Sequence, residues 1–323
     1  MGNLKYQLQS AINENFVLGY DKYASKRDSS AKDTVVSSDS TAKSLCKTAG
    51  MLADFVKEKN LRAKMAKYVS VDICNRFLEY KANTCDNSTL GKLASHIKKI
   101  GKCVSEKYAT CNVDWSKDGG LIVPESRKSQ VSAVKRVRYE KADFESCVDY
   151  IKNNTKSDAW KAIELSGRFG LRVEGCEKIT ANMVNLDAPG RYGFGQIELY
   201  KENGKGIEKG GRPRIIDIRT ASDADFIRGL CNGKTTHDRL VGLSSSRING
   251  ALGYAKNELG LKEKYHYSGI HGCRKMWAQN MWDSNKREGM SFGQNVRYCN
   301  NQLGHGDNRG VRGISAYINA EPY

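Results

Sequence analysis

The chain has 323 residues, enough for two domains with separate cores, and its 53 Lys and Arg outnumber 36 Asp and Glu to leave a formal net charge of +17. A surplus of that size points to polyanionic partners, nucleic acid ahead of an anionic membrane surface, because phosphate neutralisation supplies most sequence-independent affinity. No run approaches the roughly 20 apolar residues of a membrane-crossing helix, and MGNLKYQLQS lacks the apolar stretch of a secretion signal, so a soluble, cytoplasmic protein with no membrane partner is expected.

Ten Cys are scattered along the chain without a single C-x-x-C pair. That argues against a zinc site and fits reduced thiols packed as small apolar residues. With four Pro in the whole chain, helices are expected to dominate.

Residues 1–37 are polar and rich in Ser, Lys and Asp; they read as an N-terminal arm or linker, with room for a short helix over LKYQLQSAI. From 38 to 120 the pattern becomes helical. Leu45, Ala49, Leu52 and Val56 recur at helical spacing behind a Ser/Asp/Thr cluster suited to a cap. A second helix is predicted over 71–81. A third, starting at Ser88, places Leu90, Leu93, Ile97, Ile100 and Val104 on one stripe and carries Lys92, Lys98, Lys99 and Lys102 outside it. Such a face is either simply solvated or laid along DNA phosphates.

The stretch 121–138 has the Pro and basic residues of an interdomain linker, and its Lys135, Arg136 and Arg138 suit a phosphate backbone. From 139 to 323, apolar spacing predicts helices around 144–151, 160–165, 221–230, 244–259, 271–283 and 291–302. QIELY and RPRIIDI alternate on either side of a Gly/Lys-rich turn and predict a β-hairpin. The fold class is therefore mainly α with a small β-sheet (α+β).

Five short motifs carry chemistry: GLRVE with Arg172, KGGRPRIID with Lys209, HGCR with His271 and Arg274, LGH with His305, and AYI with Tyr317. Fixed cationic donors suit the charge that builds on a phosphodiester during transfer, and a guanidinium fork matches two phosphate oxygens. His271 and Arg274 stand three apart, on one helical face. Each has a plainer rival. Arg168 lies near Arg172, Lys201 and Lys205 share the turn of Lys209, and Tyr298 and Tyr323 compete with Tyr317.

In this order and register the motifs resemble the catalytic domain of the tyrosine recombinases, the integrases of phages and mobile elements. The resemblance implies a helical core-binding domain and a catalytic domain forming a C-shaped clamp on double-stranded DNA with inverted-repeat core sites. It implies dimers and tetramers on DNA, a 3′-phosphotyrosine intermediate and a Holliday junction, with no cofactor and no metal. Accessory DNA-bending or directionality proteins are further expected partners. Tyr317 is then the nucleophile, Arg172 and Arg274 hold the phosphate, His271 helps remove the phenol proton, His305 donates to a phosphate oxygen and Lys209 is the general acid. A type IB topoisomerase, a telomere resolvase or a catalytically silent DNA-binding protein on this scaffold are the alternatives. Two departures stand out. Gly175 occupies the position where members often carry an acidic residue, leaving Glu174 or Glu177 to replace it or the contact missing. The interval from His305 to Tyr317 is longer than is common and implies a Gly-hinged loop before the nucleophile.

Overall fold

The computed structural model describes residues 3–18, 20, 34–108, 113–127, 137–208, 211–266, 268–306 and 309–323. The chain divides into two compact units, Met1–Val131 and Ser132–Tyr323.

In the first unit, helices α1 (Leu4–Glu14), α2 (Asp39–Glu58), α3 (Val71–Ala82) and α4 (Asn87–Lys107) enclose one apolar core. Each starts at a side-chain cap: Asn3, Ser38, Ser70 and Asp86 accept from backbone N–H groups in the first turn that no intrahelical carbonyl can reach. The stripe Leu90, Leu93, Ile97, Ile100 and Val104 is buried as its spacing predicts. The short helix expected over LKYQLQSAI is present as α1, and it packs on the unit. Leu4, Leu8, Ala11 and Ile12 recur at helical spacing and bury α1 against α2 and α4, so this segment is part of the core. Its many polar residues lie on the opposite face, which is what makes it look like a lead-in. The first part of the stretch expected as a linker also packs on this unit. Asn75 brackets it by donating to the Gly120 carbonyl and accepting from the Ile122 N–H, and the Arg127 N–H reaches the Ala82 carbonyl.

The second unit contains α5 (Lys141–Asn154), α6 (Ala159–Phe169), α7 (Val173–Lys178), α8 (Ala221–Cys231), α9 (Ser245–Glu258), α10 (Ile270–Arg287), α11 (Phe292–Gln302) and α12 (Gly310–Ile314). The predicted hairpin is present as β2 (Gln196–Glu198) and β3 (Ile215–Asp217), antiparallel with Ile197 opposite Ile216. A two-residue strand, β1 (Val184–Asn185), adds to β2 and completes a three-stranded sheet ordered β1-β2-β3. Helix α10 runs through the middle, against α6 and α11, and buries eleven residues including Arg274, Gln279 and Asn285. Two of its buried amides are hydrogen-bonded: Asn285 donates to Asn295 Oδ1 at 2.8 Å, and Gln279 Oε1 accepts from the Asn319 N–H at 2.9 Å.

Candidate active site around Tyr317

The site is assembled where four chain segments meet the start of α10. The first is the turn leaving α6. Gly170 ends that helix at φ +62°, and a Cβ there would come within 2.1 Å of the Trp277 ring, so only Gly fits. The left-handed turn leaves the Gly170 carbonyl free to accept from two guanidinium groups, those of Arg274 and Arg214. Buried Ser166 ties the same turn to α10, with its Oγ 2.8 Å from the Leu171 carbonyl and 3.2 Å from that of Ile270. Arg172 follows at the N-cap position of α7.

The second segment is β3 and the turn before it. Arg214 is buried and spends its whole fork on the protein. Nε donates to the Gln302 carbonyl at 2.6 Å, Nη1 to Glu208 at 3.0 Å, and Nη2 to the Phe169 and Gly170 carbonyls at 3.1 Å each. The third is the loop after α11. Gln302 anchors it by accepting from the Asp217 N–H and donating to the Asp217 carboxylate, and the Gly304 turn at φ +68° packs on the Arg214 stem. His305 follows, its carbonyl held by Arg212 at 2.9 Å. The fourth is α12, whose Ile314 is buried. Ile318 beyond it is buried too, fixing the turn that carries Tyr317 between them.

The Tyr317 ring is the centre of this arrangement. The His271 ring centroid lies 5.1 Å from it, that of His305 5.3 Å, and the Arg274 guanidinium carbon 5.3 Å. Arg274 itself is fully buried, donating to the Gly170 carbonyl and, at 2.7 Å, to the Leu303 carbonyl; its Nε is buried with no partner. Burial first, and then repulsion from Arg214, lower its proton affinity, with Glu208 opposing. His305 Nδ1 is likewise buried without a partner. Burial, followed by the charges of Arg274 and Arg172, lowers the His305 pKa to about 4, so its imidazole is neutral at pH 7. Among the described residues Arg172, Arg214 and Arg274 face one carboxylate, that of Glu208; burial raises its pKa, but the charges of Arg214, Arg274 and Arg172 outweigh that and lower it to about 2. Among the described residues the pocket is thus left with positive charge and two orphan polar atoms, which is the electrostatic shape of an anion site.

The rival arginine and the two rival tyrosines are engaged elsewhere. Arg168 is paired with Glu164 at 2.7 Å and Asp223 at 3.1 Å. The Tyr298 hydroxyl donates to Asp217 at 2.9 Å. Tyr323 stacks edgewise on Trp282 and Phe292, donates to the Met290 carbonyl at 2.9 Å and accepts from Asn295. Lys201 and Lys205 are exposed in the turn between β2 and β3, while Lys209 lies outside the described residues. So do Lys135 and Arg136; Arg138 is exposed. On α4, Lys92 and Lys98 are exposed, but the Lys99 amine donates to the Val35 carbonyl at 2.9 Å and holds the segment before α2. Lys102 is half-buried. Among the described residues no group of three or more His, Cys, Asp or Glu side chains is gathered as a metal-ligand set.

Two residues escaped the sequence reading. Glu208 sits in a Gly/Lys-rich turn with no pattern to mark it. Arg214 did carry a signal: it shares the alternation of buried Ile216 and Ile218, so the strand period puts an Arg on the inward face.

No protein-family model matches the chain, and no curated protein sequence matches it. Solved structures do. A Tn1549 transposon integrase in complex with a circular intermediate DNA aligns with TM-score 0.58 at 11% identity, covering 98% of this chain and 95% of that one. A lambda integrase dimer bound to a COC′ core site aligns with TM-score 0.53 at 13% identity, over 98% of this chain and 77% of that one. A shorter lambda integrase on the same core site gives 0.52 at 15% identity, over 98% and 95%. The mainly helical architecture with its small antiparallel sheet is the fold of the integrases of the tyrosine recombinase family.

Proposed function

We propose that the protein is a site-specific DNA recombinase that cleaves and rejoins strands through Tyr317. The observation that carries this reading is the convergence of His271, His305 and Arg274 on the Tyr317 ring, beside a pocket where, among the described residues, three guanidinium groups face one carboxylate. The net charge of +17 and the neighbours' DNA complexes support DNA as the substrate.

In the reaction the Tyr317 phenolic oxygen attacks the scissile phosphorus. The bond to the 5′ oxygen breaks as the bond to tyrosine forms, leaving a 3′-phosphotyrosine that conserves the ester for rejoining. The phenol proton passes toward His271, and the departing 5′ oxygen takes a proton from Lys209. Arg172, Arg274 and His305 donate to the non-bridging oxygens, where charge builds. The orphan Nε of Arg274 and Nδ1 of His305 are buried polar atoms that such an anion would satisfy. Neighbours solved as a dimer on a core site and as a tetramer on a Holliday junction support paired half-sites and exchange through that junction, and a neighbour from a transposon supports integration or excision of a mobile element.

The test is exchange between two duplexes. Labelled fragments from around the gene are incubated in pairs with the protein and the products sized. Joined recombinant products dependent on a defined site support the reading. Relaxation of supercoiled DNA at any sequence by a monomer, without joining, would support the topoisomerase alternative instead.

A further inference from the structure

The resemblance left a hole at Gly175, and the structure fills it from another part of the chain. Glu174 is engaged with Lys178 at 2.6 Å, and Glu177 accepts from the Ser245 N–H and hydroxyl; no hydrogen bond or ion pair joins either to Arg172. The carboxylate beside Arg172 belongs to Glu208. Its Oε1 accepts from the Arg172 backbone N–H at 2.7 Å, and its Oε2 from Arg172 Nη1 at 2.6 Å and Arg214 Nη1 at 3.0 Å. Its side chain is only 4% exposed.

Gly175 is what lets it in. A Cβ built on Gly175 would stand 2.6 Å from Glu208 Oε1, 3.2 Å from its Cγ and 3.3 Å from its Cδ. A side chain at 175 would therefore point into the volume the Glu208 carboxylate occupies. The absence at 175 and the presence at 208 are two halves of one arrangement.

We propose that Glu208 is the acidic positioning residue of this site, a carboxylate supplied from the β2–β3 turn that orients Arg172 toward the phosphate in place of the side chain Gly175 lacks. It rests on the strand-transfer reading of the same site. Two consequences follow from the geometry. Glu208 fixes both the backbone and the side chain of Arg172, so its loss releases the fork that the phosphate needs. Among the described residues it is also the one carboxylate set against three guanidinium groups, and its charge offsets a repulsion between Arg214 and Arg274 that is only weakly screened there.

Glu208→Gln, Glu208→Ala and the transposed pair Gly175→Asp/Glu208→Ala separate positioning from mere packing. The readout is the single-turnover rate of covalent adduct formation on nicked DNA at saturating concentration, with DNA affinity and thermal unfolding measured alongside. Glu208→Gln is expected to slow adduct formation by ~10²-fold, the scale of losing a supporting contact to a transition-state donor, with affinity changed only a few-fold. The transposed pair is expected to form adduct at least about tenfold faster than Glu208→Ala, since it returns the carboxylate to nearly the same place from α7. If Glu208→Ala does not fold, the pair decides: folded and reactive supports the proposal, whereas folded and inert, or unfolded like the single variant, overturns it. A Glu208→Gln protein that reacts at the wild-type rate also overturns it, and leaves strand transfer standing. A wild-type protein that binds these DNAs and never forms an adduct overturns the strand-transfer reading itself.

Discussion

The Arg274 guanidinium lies 5.3 Å from the centre of the Tyr317 ring while its own side chain is fully buried, held by the carbonyls of Gly170 and Leu303. An arginine is placed there at the cost of desolvation, and its fixed fork lets it meet two protein carbonyls while keeping Nε for something else. Arg274→Lys keeps a cation but cannot reproduce that fork. Adduct formation is expected to fall by ~10²- to 10³-fold, with DNA affinity within about tenfold of wild type. Single-turnover cleavage and equilibrium binding on the same fragments check both numbers.

The three candidate tyrosines separate cleanly by what they hold. Tyr323→Phe loses a hydrogen bond to the Met290 carbonyl and one from Asn295, and Tyr298→Phe loses its bond to Asp217. Each is expected to lower stability by about 1–2 kcal/mol per lost partner while leaving the covalent adduct intact. Thermal denaturation run beside the adduct assay distinguishes them from Tyr317→Phe, which is expected to abolish the adduct.

His305 makes a signed prediction for pH. Its folded pKa is depressed to about 4 from the ordinary 6.5, so between those values the unfolded chain binds the extra proton. The stability it contributes is complete above pH 6.5 and is lost as pH falls toward 4. His305→Gln removes this component. Denaturant unfolding at about pH 7.5 and 4.5 is expected to show an acid-induced loss smaller in the variant by roughly 1–2 kcal/mol, the figure being discounted for the ring's partial contact with solvent.

Lys209 is expected to act on the leaving group alone. Lys209→Ala should slow cleavage of ordinary DNA by ~10²- to 10⁴-fold. Replacing the departing 5′ oxygen with sulfur should restore most of the rate, because a thiolate leaves without being protonated. Rates on the two substrates, measured with wild type and variant, give the result; equal slowing on both would remove the lysine from this role.

The salt dependence of DNA binding reports how many phosphates are neutralised. Log affinity against log salt is expected to fall with a slope near −0.9 per phosphate contact. Lys92→Ala and Lys98→Ala, both exposed on α4, should each reduce that slope by about one. Lys99→Ala should instead lower stability, because its amine holds the Val35 carbonyl.

Much of this site is legible in the sequence because its parts sit on regular elements. His271 and Arg274 share a face of α10 by their spacing, and Arg172, His305 and Tyr317 each follow a Gly or apolar signal that fixes a turn or anchors a short helix. The longer helices of both units follow from apolar periodicity, down to the buried stripe of α4. What periodicity could not reveal is compensation between distant positions. Glu208 is thirty-three residues from Gly175, and nothing local says that the space left by one is filled by the other. The packing of α1 into the core was obscured for a different reason: five buried positions in eleven are enough to join a core, yet leave its composition polar. The short α7 and α12 have too few turns to show a period at all.

The measurement that bears most directly on the central claim is the identity of the residue linked to DNA. Nicked, labelled fragments that lose the short 5′ piece after cleavage trap the covalent complex, which is then digested and the phosphotyrosyl peptide sequenced by mass spectrometry. The account predicts a 3′-phosphate on Tyr317, absent in Tyr317→Phe and present in Tyr323→Phe. DNA bound tightly by the wild-type chain with no linked peptide, or a link on any other residue, would contradict it.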